Sequence, residues 1–494
     1  MRNTGNLRMR IAGHVGLLAL VLMSIALATE RVIYMDSAVQ LFEMIQRGSF
    51  TIYDHRLPMV VTQTLPLLAI KLGMSLHTVV VAYAMSAPLL AYTAFLIIVY
   101  LLKDTHAGLL LLLPLLCMRH TFFHGISETF SLMVYAALLA ALLRHSPKHH
   151  RSAILHICGT VLCTAACVFI HPVGMFFVVY LIGYHITIRG MHPRVPLMAG
   201  AATLAIAATA NLLIPSGHNA DYAITLSSIR HGITHIGQLE ITQSFFSHLP
   251  SLYIYPVALY CLSAIWHIRQ RQWWRLAYCV AFNICFVLMT VIVYQREGSA
   301  IGIERSWLPI VFFSGVPVAC EILPKLRRPA QCAAAVLCTA ATLASLCMTA
   351  GLASHYRQRI EQMEKIAEAG RAIGQRKLVA DAETSDKIFE INSWATAFET
   401  MIVSSLHGPQ HTVTLFVEEN SIDADNPDYQ ETHAFLGAPW WRLWYYDVLR
   451  PEYFSLPEQP YQRLTFNGVT PVIGSLHPSS EEDSAPNPPM RPTP

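Results

Sequence analysis

"LPMVVTQTLPLLAIKLG" occupies residues 57–73, and whether it crosses a membrane decides how the rest of the chain is counted. It is apolar overall yet broken by Pro58, Thr62-Gln63-Thr64, Pro66 and Lys71. The surrounding sequence settles the class. Hydrophobic residues make up 54% of the chain and charged ones only 13%. Apolar runs recur from residue 11 to residue 353, most of them long enough to cross a hydrocarbon core of about 30 Å. The expectation is an all-α polytopic membrane protein followed by a small extramembrane α/β domain. A net charge of +3 then says nothing about nucleic acid, and what matters is where the positive charges lie.

The candidate spans are 11–29, 77–102, 107–118, 128–143, 153–170, 172–188, 195–214, 251–268, 276–294, 307–323 and 331–353. If 57–73 does not cross, the loops on the N-terminal side of the membrane carry Arg2, Arg8, Arg10, Lys103, Arg144, Lys148, Arg151, Arg189, Arg194, Arg269, Arg271, Arg275, Lys325, Arg327 and Arg328. The opposite loops carry only Arg31, Arg47, Arg56, Lys71, Arg119, Arg230, Arg296 and Arg305, spread over longer segments. If 57–73 does cross, every later loop flips and the bias reverses. The positive-inside rule therefore makes 57–73 an interfacial or re-entrant helix. Eleven spans follow, with the N-terminus cytoplasmic and the C-terminal domain outside. The short run 107–118 is expected to continue through the polar residues after it.

Residues 1–29 have the basic start and apolar body of a signal sequence, but the apolar part is long for one, so an uncleaved first span is expected. The eleven cysteines all lie in or at the ends of apolar runs, none with CxxC spacing, and read as small packing residues. No Asn-x-Ser/Thr sequon occurs, which favours a bacterial inner membrane over a eukaryotic lumen.

Ionisable groups concentrate on the outward face. Residues 30–76 form one long loop, in which DSAVQLFEMIQR (36–47) reads as a helix lying on the membrane surface. Asp36 sits at its N-terminal end, where a carboxylate suits the helix dipole. RHTFFHGISE (119–128), the corner at His171, residues 216–250 and QREGSAIGIERSW (295–307) form the other outward loops. His120, His124 and Glu128 fall four residues apart, a spacing that would let one helical face hold Zn²⁺ or Mn²⁺, so a divalent cation is one possible cofactor. Ordinary interfacial histidines are the simpler reading. Past the last span, 355–377 reads as a connecting helix, 376–381 and 412–419 as strands, and 394–406 as a helix between them. The soluble domain is placed at 354–477, with 478–494 a polar, proline-rich, disordered tail. GAPWWRLWYYDVLRPEYF (437–454) reads either as an aromatic belt on headgroups or as a sugar- or lipid-contacting surface.

A short inward N-terminus, one span, a long outward loop with an early aspartate and a proline-broken amphipathic segment resemble the GT-C superfamily of membrane glycosyltransferases. Protein O-mannosyltransferases and aminoarabinose transferases belong to it. The likeness runs through about residue 143 and then continues as general architecture. Asp36 is followed by Ser37 where some members have a second acid, and His55-Arg56-Leu57-Pro58 stands where they have His-Pro-Pro-Leu. The resemblance implies transfer of a sugar from a polyprenyl-phosphate carrier to an acceptor on the outer face. It gives Asp36 and Glu128 the catalytic acidic positions and Arg296 and Arg305 the carrier phosphate. The loop residues Asp54, His55 and Arg56 then stand where donor and acceptor meet.

The chemistry agrees with that division. An acceptor hydroxyl needs a carboxylate within about 3 Å to take its proton, and a phosphate leaving group needs cationic donors. Three other classes remain open from sequence. A transporter would carry midplane charge and a two-fold repeat. A diphosphate-donor ligase or polymerase would use a late basic loop such as 216–250. A non-enzymatic envelope subunit would dock through the aromatic domain.

Overall fold

A computed structural model describes residues 4–53, 56–145, 150–188, 198, 200–206, 209, 226–295, 297–390, 393–418, 421–438, 441–467 and 470–476. The chain divides into two compact units. The first comprises Met1–Val32, Phe50–Leu72 and Val79–Ala353, and the second Ile33–Ser49, Gly73–Thr78 and Ser354–Pro494.

The first unit is helical, and seven of its described helical runs are long and apolar enough to cross a membrane. They are Gly5–Ala26, Leu76–Leu101, Ala153–Ile170, Leu249–Arg269, Trp273–Val293, Ala300–Lys325 and the start of Arg328–Ala372. Leu57–Lys71, Thr105–Cys117 and Gly174–Ile186 are shorter apolar helices. The expected span 195–214 lies largely outside the described residues. Helix α1 (Thr4–Ala26) packs along helix Arg328–Gly351. Gly13 permits close approach on another side, since a Cβ there would lie 2.2 Å from the Phe95 ring.

The helices α2 (Ala28–Val32), α3 (Asp36–Arg47), α4 (Val60–Lys71) and α5 (Leu76–Leu96) follow in order. The segment 57–73 is thus a short helix with Pro66 inside it. The run 107–118 does not continue into the polar residues after it. It is α6 (Thr105–Gly108), one 3₁₀ turn and α7 (Leu113–Cys117), after which Met118 is extended. Pro114 and the Glu304 contacts described below break it. Helix α8 (Glu128–Arg144) begins at a Ser127 cap, whose Oγ accepts from Phe130 N at 3.3 Å. It is apolar on nearly every side and correspondingly buried on nearly every side. Helices α9 (His150–Ile170) and α10 (Gly174–Ile186) pack against it.

The second unit has a four-stranded sheet in the order β2-β1-β5-β6. Strand β1 (Lys377–Asp381) pairs in parallel with β2 (Thr414–Glu418) and β5 (Gln462–Asn467), and β6 (Thr470–Gly474) closes the edge antiparallel to β5. A separate antiparallel pair joins β3 (Ala434–Ala438) to β4 (Trp441–Tyr445). The central strand is covered on both faces, hence the unbroken Leu378-Val379-Ala380 rather than an alternation.

The expectation for α3 requires correction. It is not a surface helix, because Ser37–Ile45 are buried within this second unit. Phe42 sits at the centre, its ring 5.0–5.7 Å from those of Phe398, Phe435, Trp444 and Phe454. An apolar stripe at Ala38, Leu41, Phe42 and Ile45 fits a bilayer surface and a protein core equally well, and the core claims it. The same packing accounts for part of the aromatic run 437–454, since Trp444, Tyr453 and Phe454 fill the interior. The tail 478–494 lies outside the described residues.

Candidate functional site

In the first unit several helix ends gather a charged cluster. Arg56 stands at the N-cap of the 3₁₀ turn Leu57–Met59, where Pro58 occupies an early position that needs no backbone N–H. Its Nη1 donates to Glu128 Oε1 at 2.5 Å. Glu128, the first residue of α8, is 3% exposed, and its Oε2 is buried with no hydrogen-bond partner among the described residues. Arg305, His124 and His171 stand close enough to act on its charge. His171 Nδ1 accepts from Val173 N at 3.2 Å, which leaves the ring proton on Nε2. Burial lowers the His171 pKa to about 3. Glu128 opposes that shift, and Arg305 and Arg56 add to it. The imidazole is therefore neutral at pH 7.

Glu304 has a structural task. Its Oε1 accepts from Arg119 N (2.7 Å) and Thr121 N (3.0 Å), and its Oε2 from His120 N at 2.9 Å. One buried carboxylate thus satisfies three consecutive backbone amides and turns the chain after α7. Ser299 caps the helix Ala300–Trp307 that presents Glu304 and Arg305 side by side. Arg119 is occupied elsewhere, donating to Met118 O at 3.0 Å and Ser345 Oγ at 2.5 Å. Arg31 braces the same loop from beneath. Its side chain, 2% exposed, donates to Ala84 O and Phe122 O, and its guanidinium carbon lies 4.5 Å from the Phe122 ring. Burial pulls its pKa to about 9, so it stays charged at pH 7.

The metal arrangement does not form. His120 begins the 3₁₀ turn His120–Phe123, while His124 ends it in an extended conformation, so the two share no helical face with Glu128. Among the described residues no group of three or more His, Cys, Asp and Glu is placed to hold a metal ion.

Asp36 belongs to the second unit, where it opens α3 directly after a strained residue. Met35 has φ 46° and ψ −132°, a conformation that favours glycine. A buried network holds it. Met35 N donates to Glu399 Oε1 at 2.7 Å, Ser393 Oγ donates to the same oxygen, and Arg359 grips Oε2 at 2.6 Å and 3.2 Å. Ser37 N closes the turn on Tyr34 O at 3.2 Å. Nothing in the sequence around residue 35 marks this turn. Its signal is the buried Glu399–Arg359 pair, more than 320 residues further along the chain.

The structure therefore brings Glu128 together with Arg56 and Arg305, and places Asp36 in the other unit. Asp54, His55 and Arg296 lie outside the described residues. Fold and composition define a helical multi-pass membrane protein. No protein-family model matches the chain, and neither the curated proteins nor the solved structures yielded a match.

Proposed function

We propose that the chain is a GT-C-like glycosyltransferase with eleven spans, which moves a sugar from a polyprenyl-phosphate carrier to an acceptor on the outer face of a bacterial inner membrane. The observation that carries this reading is the Glu128 carboxylate. One oxygen is anchored by Arg56, and the other is buried without a hydrogen-bond partner among the described residues. A buried acceptor oxygen left unbonded costs free energy unless a ligand supplies the donor. A sugar or acceptor hydroxyl is such a donor. Arg305, acting on the same carboxylate, supplies the cation that a departing phosphate requires, and guanidinium can meet phosphate with two parallel hydrogen bonds. The neutral His171 adds a ring N–H without adding charge.

In this reading Glu128 orients the donor sugar or the acceptor hydroxyl. Arg305, with Arg296, takes up the charge that develops on the carrier phosphate, and removal of the acceptor proton is the part that the resemblance assigns to Asp36. The role of Asp36 rests on the resemblance and on its strained, firmly held turn, a place where proteins keep functional geometry. Excluding water from the phosphate would strengthen each of these interactions.

The test is release of free polyprenyl phosphate from polyprenyl-phosphate hexoses and pentoses in reconstituted vesicles. The expected result is turnover of one donor class by the wild type, with losses of at least about a hundredfold for Glu128→Gln and for Asp36→Asn. Undiminished turnover in both variants would remove the proposed machinery.

A second reading, a transporter, draws on one observation. The other end of the same unit holds Asp104 paired with Arg144, and Glu321 paired with Arg275 and Lys325. Helix α8 carries Glu128 at one end and Arg144 at the other, about 24 Å apart along its axis. Accumulation of a solute in vesicles without carrier turnover would favour it.

A further inference from the structure

A furrow in the first unit lies away from the Glu128 cluster, at the end where α1 begins. Arg8 on α1 and Arg328, the first residue of helix Arg328–Gly351, both line it. Pro329, Cys332, Ala333, Val336, Leu337 and Ala340 continue the lining. These positions recur every three to four residues and so lie along one side of the helix. The furrow encloses about 760 Å³. From Arg328 to Ala340 it runs about 18 Å along the helix, close to the depth of one leaflet.

Three features fix the chemistry of an occupant. First, among the described residues neither Arg8 nor Arg328 has a hydrogen bond or an ion pair and the lining contains no acidic side chain. Two guanidinium groups lining one furrow select an anion, and planar guanidinium suits a phosphate diester oxygen pair. Secondly, the rest of the described lining is apolar or small, with Val336 62% and Leu337 71% exposed, which suits a hydrocarbon chain and offers nothing to a soluble anion. Thirdly, the furrow is built on a fixed helix pair. Gly5 of α1 approaches Gln331 so closely that a Cβ would lie 2.6 Å from its Oε1, and Gln331 Nε2 is held by Leu323 O at 3.1 Å. The arginines are therefore carried on backbones that do not need to rearrange.

We propose that this furrow is a binding site for an anionic phospholipid, with the phosphate between Arg8 and Arg328 and one acyl chain along Ala333–Ala340. The volume accommodates the headgroup region and the upper chain, with the rest of the lipid in the bilayer. The site is independent of the glycosyltransferase reading, because it uses none of the residues assigned there. It gives the clustered positive charge at this end of the bundle a specific ligand in addition to its part in orientation.

Native mass spectrometry of the purified full chain in detergent tests it. Dioleoyl phosphatidylglycerol is titrated against dioleoyl phosphatidylcholine for the wild type, for Arg8→Gln/Arg328→Gln, and for the charge-matched control Arg269→Gln/Arg271→Gln. A third variant, Ala340→Trp, fills the furrow without changing charge. The wild type is expected to retain the anionic lipid preferentially. A basic group beside an anionic headgroup is worth about a fivefold preference, so the first pair should lower that preference about 25-fold while the control pair keeps it. Ala340→Trp should also weaken retention, and millimolar inorganic phosphate should not displace the lipid. Both arginines are exposed and, among the described residues, unpaired, so thermal unfolding of the double variant should match the wild type. An equal loss in the control pair, no lipid preference in the wild type, or displacement by inorganic phosphate would overturn the proposal.

Discussion

Arg56 Nη1 and Glu128 Oε1 meet at 2.5 Å across 72 residues of sequence, and that bond joins the loop before α4 to the first residue of α8. It neutralises a carboxylate that is almost wholly buried while leaving the other oxygen available. The pair is thus both a structural joint and the core of the candidate site.

Breaking the joint from one side should be costly. Arg56→Gln alone leaves a buried carboxylate without its counter-charge, and a loss of about 3 kcal/mol is expected in reversible unfolding in detergent. Arg56→Gln combined with Glu128→Gln should recover more than half of that loss, because the uncompensated charge goes with it. Strictly additive losses would show that the two side chains do not interact.

Glu304 carries three backbone amides, so Glu304→Gln should destabilise the 119–121 turn by about 2–4 kcal/mol. Hydrogen exchange at Arg119, His120 and Thr121 is the direct readout, with faster exchange expected there and little change in α9. Unchanged protection would mean that another group holds the turn.

At Met35 the positive φ favours glycine, while the side chain is only half-buried. Met35→Gly should therefore be nearly neutral in unfolding, and Met35→Val, branched at Cβ, should cost about 2 kcal/mol or more. Equal effects of the two substitutions would count against the strained turn.

Lys377 gives a pH signature to the second unit. Its Nζ is buried between the carbonyl oxygens of Glu431 (2.5 Å) and Ala434 (2.6 Å), and burial lowers its pKa to about 8. An unfolded lysine titrates near 10.4, so between about pH 8 and 10 the unfolded chain holds more protons than the folded one. The cost of burying the charge is present in full below pH 8 and is relieved as the pH rises through that window. Protection of the Leu378–Ala380 amides should accordingly increase from pH 8 to pH 10, after correction for intrinsic exchange. Lys377→Met should flatten the increase, and a wild-type profile that falls over the same interval would contradict the assignment.

Much of the architecture is legible in local pattern. Length and apolarity identify the membrane helices, and the helix at 36–47, the strands near 377–381 and 414–418 and the helix at 396–405 emerge within a residue or two. What local pattern cannot reveal is which partner claims an amphipathic face. The stripe on α3 is the same whether it rests on headgroups or on Phe398 and Phe435. Nor does spacing show that Glu304 faces backwards onto the amides at 119–121, because a contact across more than 180 residues leaves no periodic trace. Glu128 and Arg305 are suggested by the family resemblance, and Arg56 by its place in the acidic loop. Arg31 resembles an ordinary flanking arginine, and its burial under Phe122 is a tertiary outcome.

The most direct measurement of the central claim is polyprenyl-phosphate binding by native mass spectrometry, with wild type compared to Arg305→Ala and Arg296→Ala. The glycosyltransferase reading predicts headgroup-dependent binding weakened about tenfold or more by either substitution, in keeping with loss of a charge-assisted contact to phosphate. Retention no greater than that of bulk phospholipid, or binding indifferent to both arginines, would contradict it.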